Sequence, residues 1–537
     1  MKRFALAFLF LLYWNALFTF ENVPSTPSMR LVPKVSVEIL ALVLVLAAAK
    51  GMGHSLSRLA RASIAFLLLL ASLVRYVDVT AFGVLGREFD LYGDFPHLHR
   101  VFAMFLEVMT LSLGILVVAV LVLSAALAFS LNWFGLGALD RALENAPWRR
   151  GLAAASIAGI GAFFLPPGRA FAETVSSIAA RQIGHLRDGE SGAPALTDLD
   201  FPEQSLDSSL SRLKGASVFL IFVESYGVTL FEDAHHFENI EPRYRGLESR
   251  LRKAGYFFSS SQIQSPTFGG GSWRAHATLL SGVDVGSEHR YNALLLSKRK
   301  TLVHVLKDKG YRAVAAEPGI KWYWPDGLFY GFDRIYDFEA LDYHGPPMGW
   351  WKVPDQFTLY RLYQEEIVRA DKPLFVKASL IMTHIPYYPV PAYVPDWSRF
   401  DNGTAYEGGL KSVAHDAYRD LMELSTWYLA AVGYELDVLE GFLLNYVPDD
   451  SLVIIVGDHQ PPKLATHDND SWAVPMHVFS KREDLVRAFD SLGFEEGLVP
   501  LEESSLRMAD FLERFLEIYD GAAAARKAVK AVKAVKD

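Results

Sequence analysis

The sequence predicts a two-part fold: a membrane-embedded N-terminal region of about five α-helices, then an α/β domain with a largely parallel central sheet. Three observations carry this. The apolar residues, 51% of the chain at a mean hydropathy of +0.16, crowd into its first third. Beyond residue 213, short β-branched and aromatic runs alternate with helical patterns, as in a parallel sheet covered by helices. Residues with metal-binding and nucleophilic chemistry fall at the ends of those runs, where sites form in such sheets. At 537 residues the chain is long enough for more than one domain. Its net charge of -9 sits mainly in the second part, which argues against a nucleic-acid surface. There is no cysteine, so disulfides, thiolate metal sites and a cysteine nucleophile are excluded.

Five apolar stretches lie within residues 1–168: Phe4–Phe20, Val35–Ala49, Ala62–Phe82, Val101–Phe129 and Gly151–Leu165. About 20 residues span the hydrocarbon core, so the second and fifth must borrow flanking residues. Lys2 and Arg3 before the first stretch resemble a signal peptide. No small-residue cleavage site follows and four more stretches do, so it is taken as a retained helix. With the N-terminus inside, the inner loops carry Lys2, Arg3, Lys50, Arg58, Arg61, Arg141, Arg149 and Arg150. The outer loops carry Arg30, Lys34, Arg75, Arg87, Arg100 and Arg169, a bias of eight to six. An odd number of crossings then places everything after Leu165 outside the cytoplasm, and Pro166-Pro167-Gly168 stops the fifth helix. The segment RYVDVTAFGVLGREFDLYGDFPHLHR (75–100) mixes aromatics with charges of both signs. It reads either as a shelf at headgroup level, with Arg87 available to a lipid phosphate, or as an ordinary connection.

Residues 169–212 read as a linker with some helix, residues 213–520 as the catalytic domain. Buried strands are predicted at SVFLIFVES (217–225), YRAVAAE (311–317), KPLFVKASLIM (372–382), SLVIIVGDH (451–459) and AVPMHVFS (473–480). Helices are predicted over ALLLSKRKTLVHVLKDKG and HDAYRDLMELSTWYLAAVGYELDVLEGFLLNY. The first strand runs into Glu224, the third into Thr383-His384 and the fourth into Asp458-His459. Oxygen and nitrogen donors of this kind suit one divalent ion, Mn²⁺ or Zn²⁺, with Mg²⁺ admissible. The stretch SPTFGGGSWRAHATLLSGV (265–283) supplies a hydroxyl. An ion on Glu224, Asp458 and His459 would take Ser272 as fourth ligand and lower its hydroxyl pKa, making it a nucleophile. The three preceding glycines let a tetrahedral centre approach the main chain, and a helix starting at Ser272 favours an anion. His276 reads as a satisfied histidine beside the centre. The tail 521–537, with Lys every third residue, presents no clean apolar face and reads as solvated or disordered, with contact to anionic lipid as the alternative.

The motifs VESYG (223–227), PTFGGGSW (266–273), MTHIPYY (382–388) and VGDHQPP (456–462) resemble those of the sulfatase-type branch of the alkaline phosphatase superfamily. The likeness is to its membrane-anchored phosphotransferases, of the lipoteichoic acid synthase and phosphoglycerol transferase type. The resemblance implies an alkaline-phosphatase/sulfatase-like fold for the extracytoplasmic domain. It implies metal on Glu224, Asp458 and His459, Ser272 as nucleophile and fourth ligand, and His384 contacting the phosphate or assisting a leaving oxygen. It makes His467 and His477 weaker candidates. KWYWPDG (321–327) falls where the family grips its headgroup, so Trp324 or Trp322 would serve, although no arginine stands beside them. Formylglycine sulfatases need Cys or Ser followed by x-Pro-x-Arg, which neither Ser265 nor Ser272 satisfies. Phosphoethanolamine transferases of lipid A usually carry disulfides, and the absence of cysteine shifts weight toward phosphoglycerol.

The expected protein is therefore a multi-pass enzyme of the bacterial inner membrane with its catalytic domain in the periplasm or outside the cell. It moves a phospholipid-derived headgroup through a covalent Ser272 intermediate to a glycan or lipid hydroxyl of the envelope. The alternatives are a phosphodiesterase or phosphatase of the same superfamily with water as acceptor, and an inactive sensor or scaffold that keeps the fold. Headgroup, acceptor, metal and oligomeric state stay open at this point.

Overall fold

The computed structural model describes residues 2–22, 29–108, 111–165, 170–190, 206, 208–346, 348, 353–401, 405–406, 424–466, 469–500 and 503–521. The chain divides into two compact units, Met1–Gly192 and Ala193–Asp537.

The first unit runs α1 (Lys2–Thr19), β1 (Phe20–Asn22), β2 (Met29–Leu31), α2 (Val37–Gly51), α3 (Arg58–Leu85), α4 (Leu91–Val108), α5 (Leu111–Ala142), α6 (Ala146–Phe163) and α7 (Val175–Glu190). Side-chain caps start three of these helices: Ser36 before α2, Ser57 before α3 and Asn145 before α6 each accept a backbone N–H. A buried polar pin joins three helices. Trp14 Nε1 on α1 donates to Asn132 Oδ1 on α5 at 2.9 Å, and Asn132 Nδ2 donates to the Ala65 carbonyl of α3 at 3.3 Å. Hydrogen bonds of this kind hold helices together where the surroundings are apolar.

Among the described residues, two helices are long and apolar enough to cross a membrane, Arg58–Gly83 with mean hydropathy 1.9 and Leu111–Ala142 with 2.7. Arg3–Thr19 is a shorter apolar helix, and α2 and α6 have 15 and 18 residues. Five crossings are therefore not established by helix length. The stretch expected as one helix over 101–129 belongs to two, α4 and α5, and residues 109–110 are outside the described part. The segment 75–100 is not a loop: α3 continues to Leu85, where Gly86 at φ 69° caps it, and α4 begins at Leu91. The predicted stretch Ala62–Phe82 already runs through Arg75 and Asp78 and stops three residues short of the helix end. Part of the expected linker is the helix α7, while 191–205 lies outside the described residues. The expected stop at Pro166-Pro167-Gly168 and the tail beyond Gly521 lie there too.

The second unit continues with β3 (Ser217–Val223), α8 (Thr229–Glu232), α9 (Ala234–Lys253), β4 (Phe257–Gln264), α10 (Ser272–Ser281), α11 (Glu288–Leu296), α12 (Leu302–Asp308) and β5 (Arg312–Glu317). Next come α13 (Gly327–Tyr330), β6 (Arg334–Asp337), α14 (Phe338–Leu341), α15 (Asp355–Leu362), β7 (Leu374–Leu380) and α16 (Leu424–Asn445). The unit ends with β8 (Ser451–Gly457), α17 (Lys463–Thr466), β9 (Ala473–Ser480), α18 (Glu483–Arg487), β10 (Glu495–Glu496), β11 (Glu503–Arg507) and α19 (Phe511–Tyr519).

Nine strands form one sheet in the order β10-β4-β9-β8-β3-β7-β5-β6, with β11 added on β4. The centre, β8-β3-β7-β5-β6, is parallel. The sheet as a whole is mixed, because β9 runs antiparallel to both β8 and β4. All five predicted strands are present. The polar run FFSSSQIQ, which forms β4, was missed because its alternation is weak. The helix expected over 293–310 is broken between α11 and α12, where Thr301 starts a new helix with His304 closing its capping box. Residues 415–423 of the other expected helix lie outside the described part, and α16 accounts for the rest.

Strand β3 explains the two-sided core. Val218, Leu220 and Phe222 pack into one apolar cluster and Phe219, Ile221 and Val223 into the other, as a central parallel strand requires. The same alternation carries Glu224 onto the Leu220–Phe222 side. Phe219 is fully buried in the middle of the sheet. Phe219→Ala is expected to lower unfolding stability by about 3–5 kcal/mol, read as a fall in urea midpoint at unchanged slope. A fall below about 1 kcal/mol would show that the surrounding core collapses into the space.

Candidate metal and nucleophile centre

Register builds the centre. Phe222 lies beside Val456 across the β3–β8 pair, so Glu224 and Asp458, two residues further along, leave the sheet side by side. The Glu224 N–H still bonds the Leu380 carbonyl at 2.9 Å, which extends the ladder to β7 by one residue. Asp458 is fixed by two amides: the N–H groups of Ser225 and His459 donate to its Oδ1 at 2.8 and 2.7 Å. Ser225 takes φ 54° to do so, an uncommon conformation for a residue with a Cβ. Gly457 has to be glycine, since a Cβ there would stand 1.9 Å from the Tyr226 carbonyl oxygen.

The triple glycine does what its composition suggests. Gly269, Gly270 and Gly271 have φ of 63°, 147° and 84°, all in the region open to glycine. They turn the chain from a bridge between Phe268 and Gln460 into α10, whose first residue is Ser272. The Ser272 hydroxyl donates to Glu224 Oε2 at 2.8 Å and lies 3.3 Å from His459 Nε2. His459 Nδ1 is engaged with the Gln460 carbonyl at 2.7 Å, so Nε2 is the nitrogen turned to the centre. His459 Nε2 is also 3.2 Å from Glu224 Oε1.

Glu224, Asp458 and His459 are buried, and one ligand atom from each lies within 4.8 Å of the others. Burial opposes charge on all three. Asp458 is pushed up to about 8 by that burial and by the neighbouring Glu224 anion. His459 rises to about 9, because Asp458 and Glu224 outweigh the effect of its burial. Glu224 moves the other way: burial would raise it, but the His459 imidazole holds it well below the usual carboxylate range. Two carboxylates buried together suit a cation, and two oxygens, one imidazole nitrogen and the Ser272 oxygen match a four-coordinate divalent site.

The other expected residues divide. His384 follows β7, half-buried, with its Nδ1 on the Ile385 carbonyl at 2.6 Å and close enough to Glu224 to favour its charge. His477 is elsewhere. It sits in β9 between Ser260 Oγ at 2.6 Å and the Tyr226 hydroxyl at 2.8 Å, and burial lowers it to about 3. Trp324 packs near Tyr330, ring centroids 5.9 Å apart, and Trp322 is exposed; neither joins the hydrogen bonds of the centre. Arg87 belongs to the first unit, where it grips Asp94 through both terminal nitrogens at 3.0 and 2.6 Å. A lipid phosphate would have to displace that carboxylate. His467 lies outside the described residues.

One cluster escaped the sequence reading. Lys377, in the middle of β7 and buried, donates to Glu317 at the end of β5, to Ser379 Oγ at 2.7 Å and to His276 Nδ1 at 3.1 Å. Ser379 Oγ donates to the other Glu317 oxygen at 2.9 Å. His276 stands one helical turn below Ser272 with its ring 4.0 Å from that of Phe222. Burial, then Lys377, holds it neutral. The reading of His276 as satisfied is half right: Nδ1 has a partner and, among the described residues, the buried Nε2 has none. The legible signal was a lysine inside an otherwise apolar strand, a position that demands a buried partner.

Residues 217–482 match the family model Sulfatase. A search of the curated proteins found no match. Among solved structures, the chain is similar to the lipoteichoic acid synthase LtaP from Listeria monocytogenes, at 14% identity over 56% of this chain and 76% of that one, TM-score 0.38. It is similar to the C-terminal periplasmic domain of EcEptC from Escherichia coli, at 13% identity over 57% and 82%, TM-score 0.37. It is also similar to the Streptococcus pyogenes phosphoglycerol transferase GacH in complex with sn-glycerol-1-phosphate, at 12% identity over 54% and 82%, TM-score 0.34. Likenesses this distant carry nothing about substrate.

Metal uptake has to displace the protons that Asp458 and His459 hold up to about 8 and about 9. Affinity for Zn²⁺ or Mn²⁺ is therefore expected to rise with pH to about 9 and then level. Calorimetry near pH 7 in buffers of different ionisation enthalpy should show proton release on binding. Binding that releases no protons would mean the ion is held elsewhere.

Proposed function

From a chain whose residues 217–482 match the Sulfatase family model, we propose a metal-dependent phosphotransferase that moves a phospholipid headgroup, phosphoglycerol ahead of phosphoethanolamine, to an envelope glycan or lipid hydroxyl. The observation that supports it is the Ser272 hydroxyl at the start of α10, 2.8 Å from Glu224 and 3.3 Å from His459. Glu224, Asp458, His459 and Ser272 would hold one divalent ion, Mn²⁺ or Zn²⁺, which when bound lowers the hydroxyl pKa and offsets phosphate charge.

Ser272 Oγ attacks phosphorus as its proton leaves toward the Glu224 carboxylate, to which the hydroxyl already donates. The bond from phosphorus to the diacylglycerol oxygen breaks, and that oxygen takes a proton, a step given to His384. A phosphodiester on Ser272 results. The acceptor hydroxyl then attacks the same phosphorus, its proton leaves, and Ser272 Oγ departs reprotonated. The N-terminus of α10 and the glycine turn favour the anionic group throughout. In this reading α1, α2, α3, α5 and α6 cross the membrane, and an odd number of crossings places the catalytic unit outside the cytoplasm.

Mass spectrometry of protein incubated with phosphatidylglycerol should show one phosphoglycerol adduct on Ser272. Ser272→Ala should lose the adduct and turnover by a factor on the order of 10³ or more, with the fold kept. Residual activity near the native level would end the mechanism. A phosphatase-type reporter, active only outside the cytoplasm, should be active when fused after Asp537 and silent when fused near Arg141; the reverse pattern would deny the site envelope acceptors.

A further inference from the structure

Two buried carboxyl groups outside the centre are used by none of this chemistry. Asp355 begins α15 at 0% exposure, and Glu435 lies on α16 at 1%. Asp355 Oδ2 accepts the N–H groups of both Ile381 and Met382 at 2.7 Å. Those residues open the turn after β7, which the His384 N–H closes on the Ile381 carbonyl at 3.1 Å. Inside the turn, the Thr383 hydroxyl donates to the Glu224 carbonyl. Asp355 thus holds the segment that carries His384 and leans on Glu224.

The other side of Asp355 poses an accounting problem. Among the described residues its Oδ1 and both Glu435 oxygens are buried with no donor, and the two carboxyls are close enough to act on each other directly. Two ionised carboxylates cannot bond, and an unpaired buried anion is costly. Among the described residues the titratable groups facing the pair are the Tyr406 and Tyr434 hydroxyls and, further off, Glu224; no cation pairs with either carboxyl. A single proton resolves this. Asp355 already has two amides that favour its anion, so the proton belongs on Glu435, donated to Asp355 Oδ1. Burial and then Asp355 push Glu435 well above the usual carboxylate range.

We propose that Glu435, as a neutral acid, and Asp355, as its carboxylate acceptor, form a proton-held clasp that positions the His384 turn. The inference rests on the role given to His384 above, and both are positioning residues. An acid raised in the folded state supports it below its unfolded pKa and loses that support as pH rises. The clasp is therefore closed in acid and opens on the alkaline side, where two buried anions repel.

The test uses the full chain in nanodiscs, with amide exchange of the peptide spanning 381–384 and turnover both measured against pH. Glu435→Gln keeps a donor, and Glu435→Leu removes it at similar volume. Glu435→Leu should exchange about tenfold faster at Ile381 and Met382 and lose turnover by a similar factor, the value of one lost hydrogen bond to a charged group. Its metal content should be unchanged. Glu435→Gln should protect these amides like the native chain. It should also lack the alkaline loss of protection that the native chain shows beyond ordinary base-catalysed exchange. Native protection in Glu435→Leu, or equal pH response in the native chain and Glu435→Gln, would overturn the clasp. So would native protection that follows a chelator and not pH, which would mean a cation between the carboxylates. If Glu435→Leu does not fold, the comparison of Glu435→Gln with the native chain still decides. Exchange is blind to the reaction, so a chain with no transferase activity but the expected exchange would fail only the functional reading.

Discussion

Glu224 and Asp458 leave adjacent parallel strands at the same level, and β3 and β8 give them no room to separate. Like charges buried side by side repel strongly, since little solvent screens them. Much of the local architecture reads as a response. Two backbone amides converge on Asp458 Oδ1, Ser225 is forced to φ 54° to supply one of them, and Gly457 is bare so that Tyr226 can pass. His459 turns Nε2 inward because Gln460 holds its other nitrogen. The triple glycine then brings a hydroxyl to the centre. None of these choices stabilises the fold by itself. Each lowers the cost of keeping charge buried at this place.

The parts legible from sequence were those with a strong local period or a strong chemical identity. Runs such as SLVIIVGDH announce both a buried strand and its polar end, so β8, Asp458 and His459 came together. The glycines announced a turn whose backbone angles bear out that reading. What stayed illegible depends on partners distant in the chain. Lys377 and Glu317 are separated by 60 residues, Asp355 and the Ile381 amide by 26. His477 carried the right chemistry at the wrong level of the sheet, since it pairs with Ser260 on β4 and with Tyr226. The membrane unit failed differently: apolar content locates helices but not their ends, and α3 and α4 run through charged residues that looked like a connection.

The face of the sheet below the centre is unusual for a buried surface. Phe222 and Ser379 sit opposite each other across β3 and β7, and Leu220 is level with Lys377. A parallel strand covered on both sides normally reads as a continuous apolar run. Here a lysine, a glutamate, a serine and a histidine form a hydrogen-bonded set beside α10. Lys377 spends its three hydrogens on Glu317, Ser379 and His276. Its charge is thereby answered locally, and His276 meets it as an acceptor, which leaves the imidazole proton on Nε2.

That pairing constrains how the protein can change over generations. Losing Lys377 alone strands a glutamate in the core, and losing Glu317 alone strands a lysine. Removing one partner of a buried pair typically costs about 3–5 kcal/mol, whereas exchanging both for apolar residues of similar size is often neutral. A lineage that drifts away from this arrangement is therefore expected to change both positions together, with His276 free to follow. Among descendants the two positions should be inherited as a linked trait, with intermediates rare.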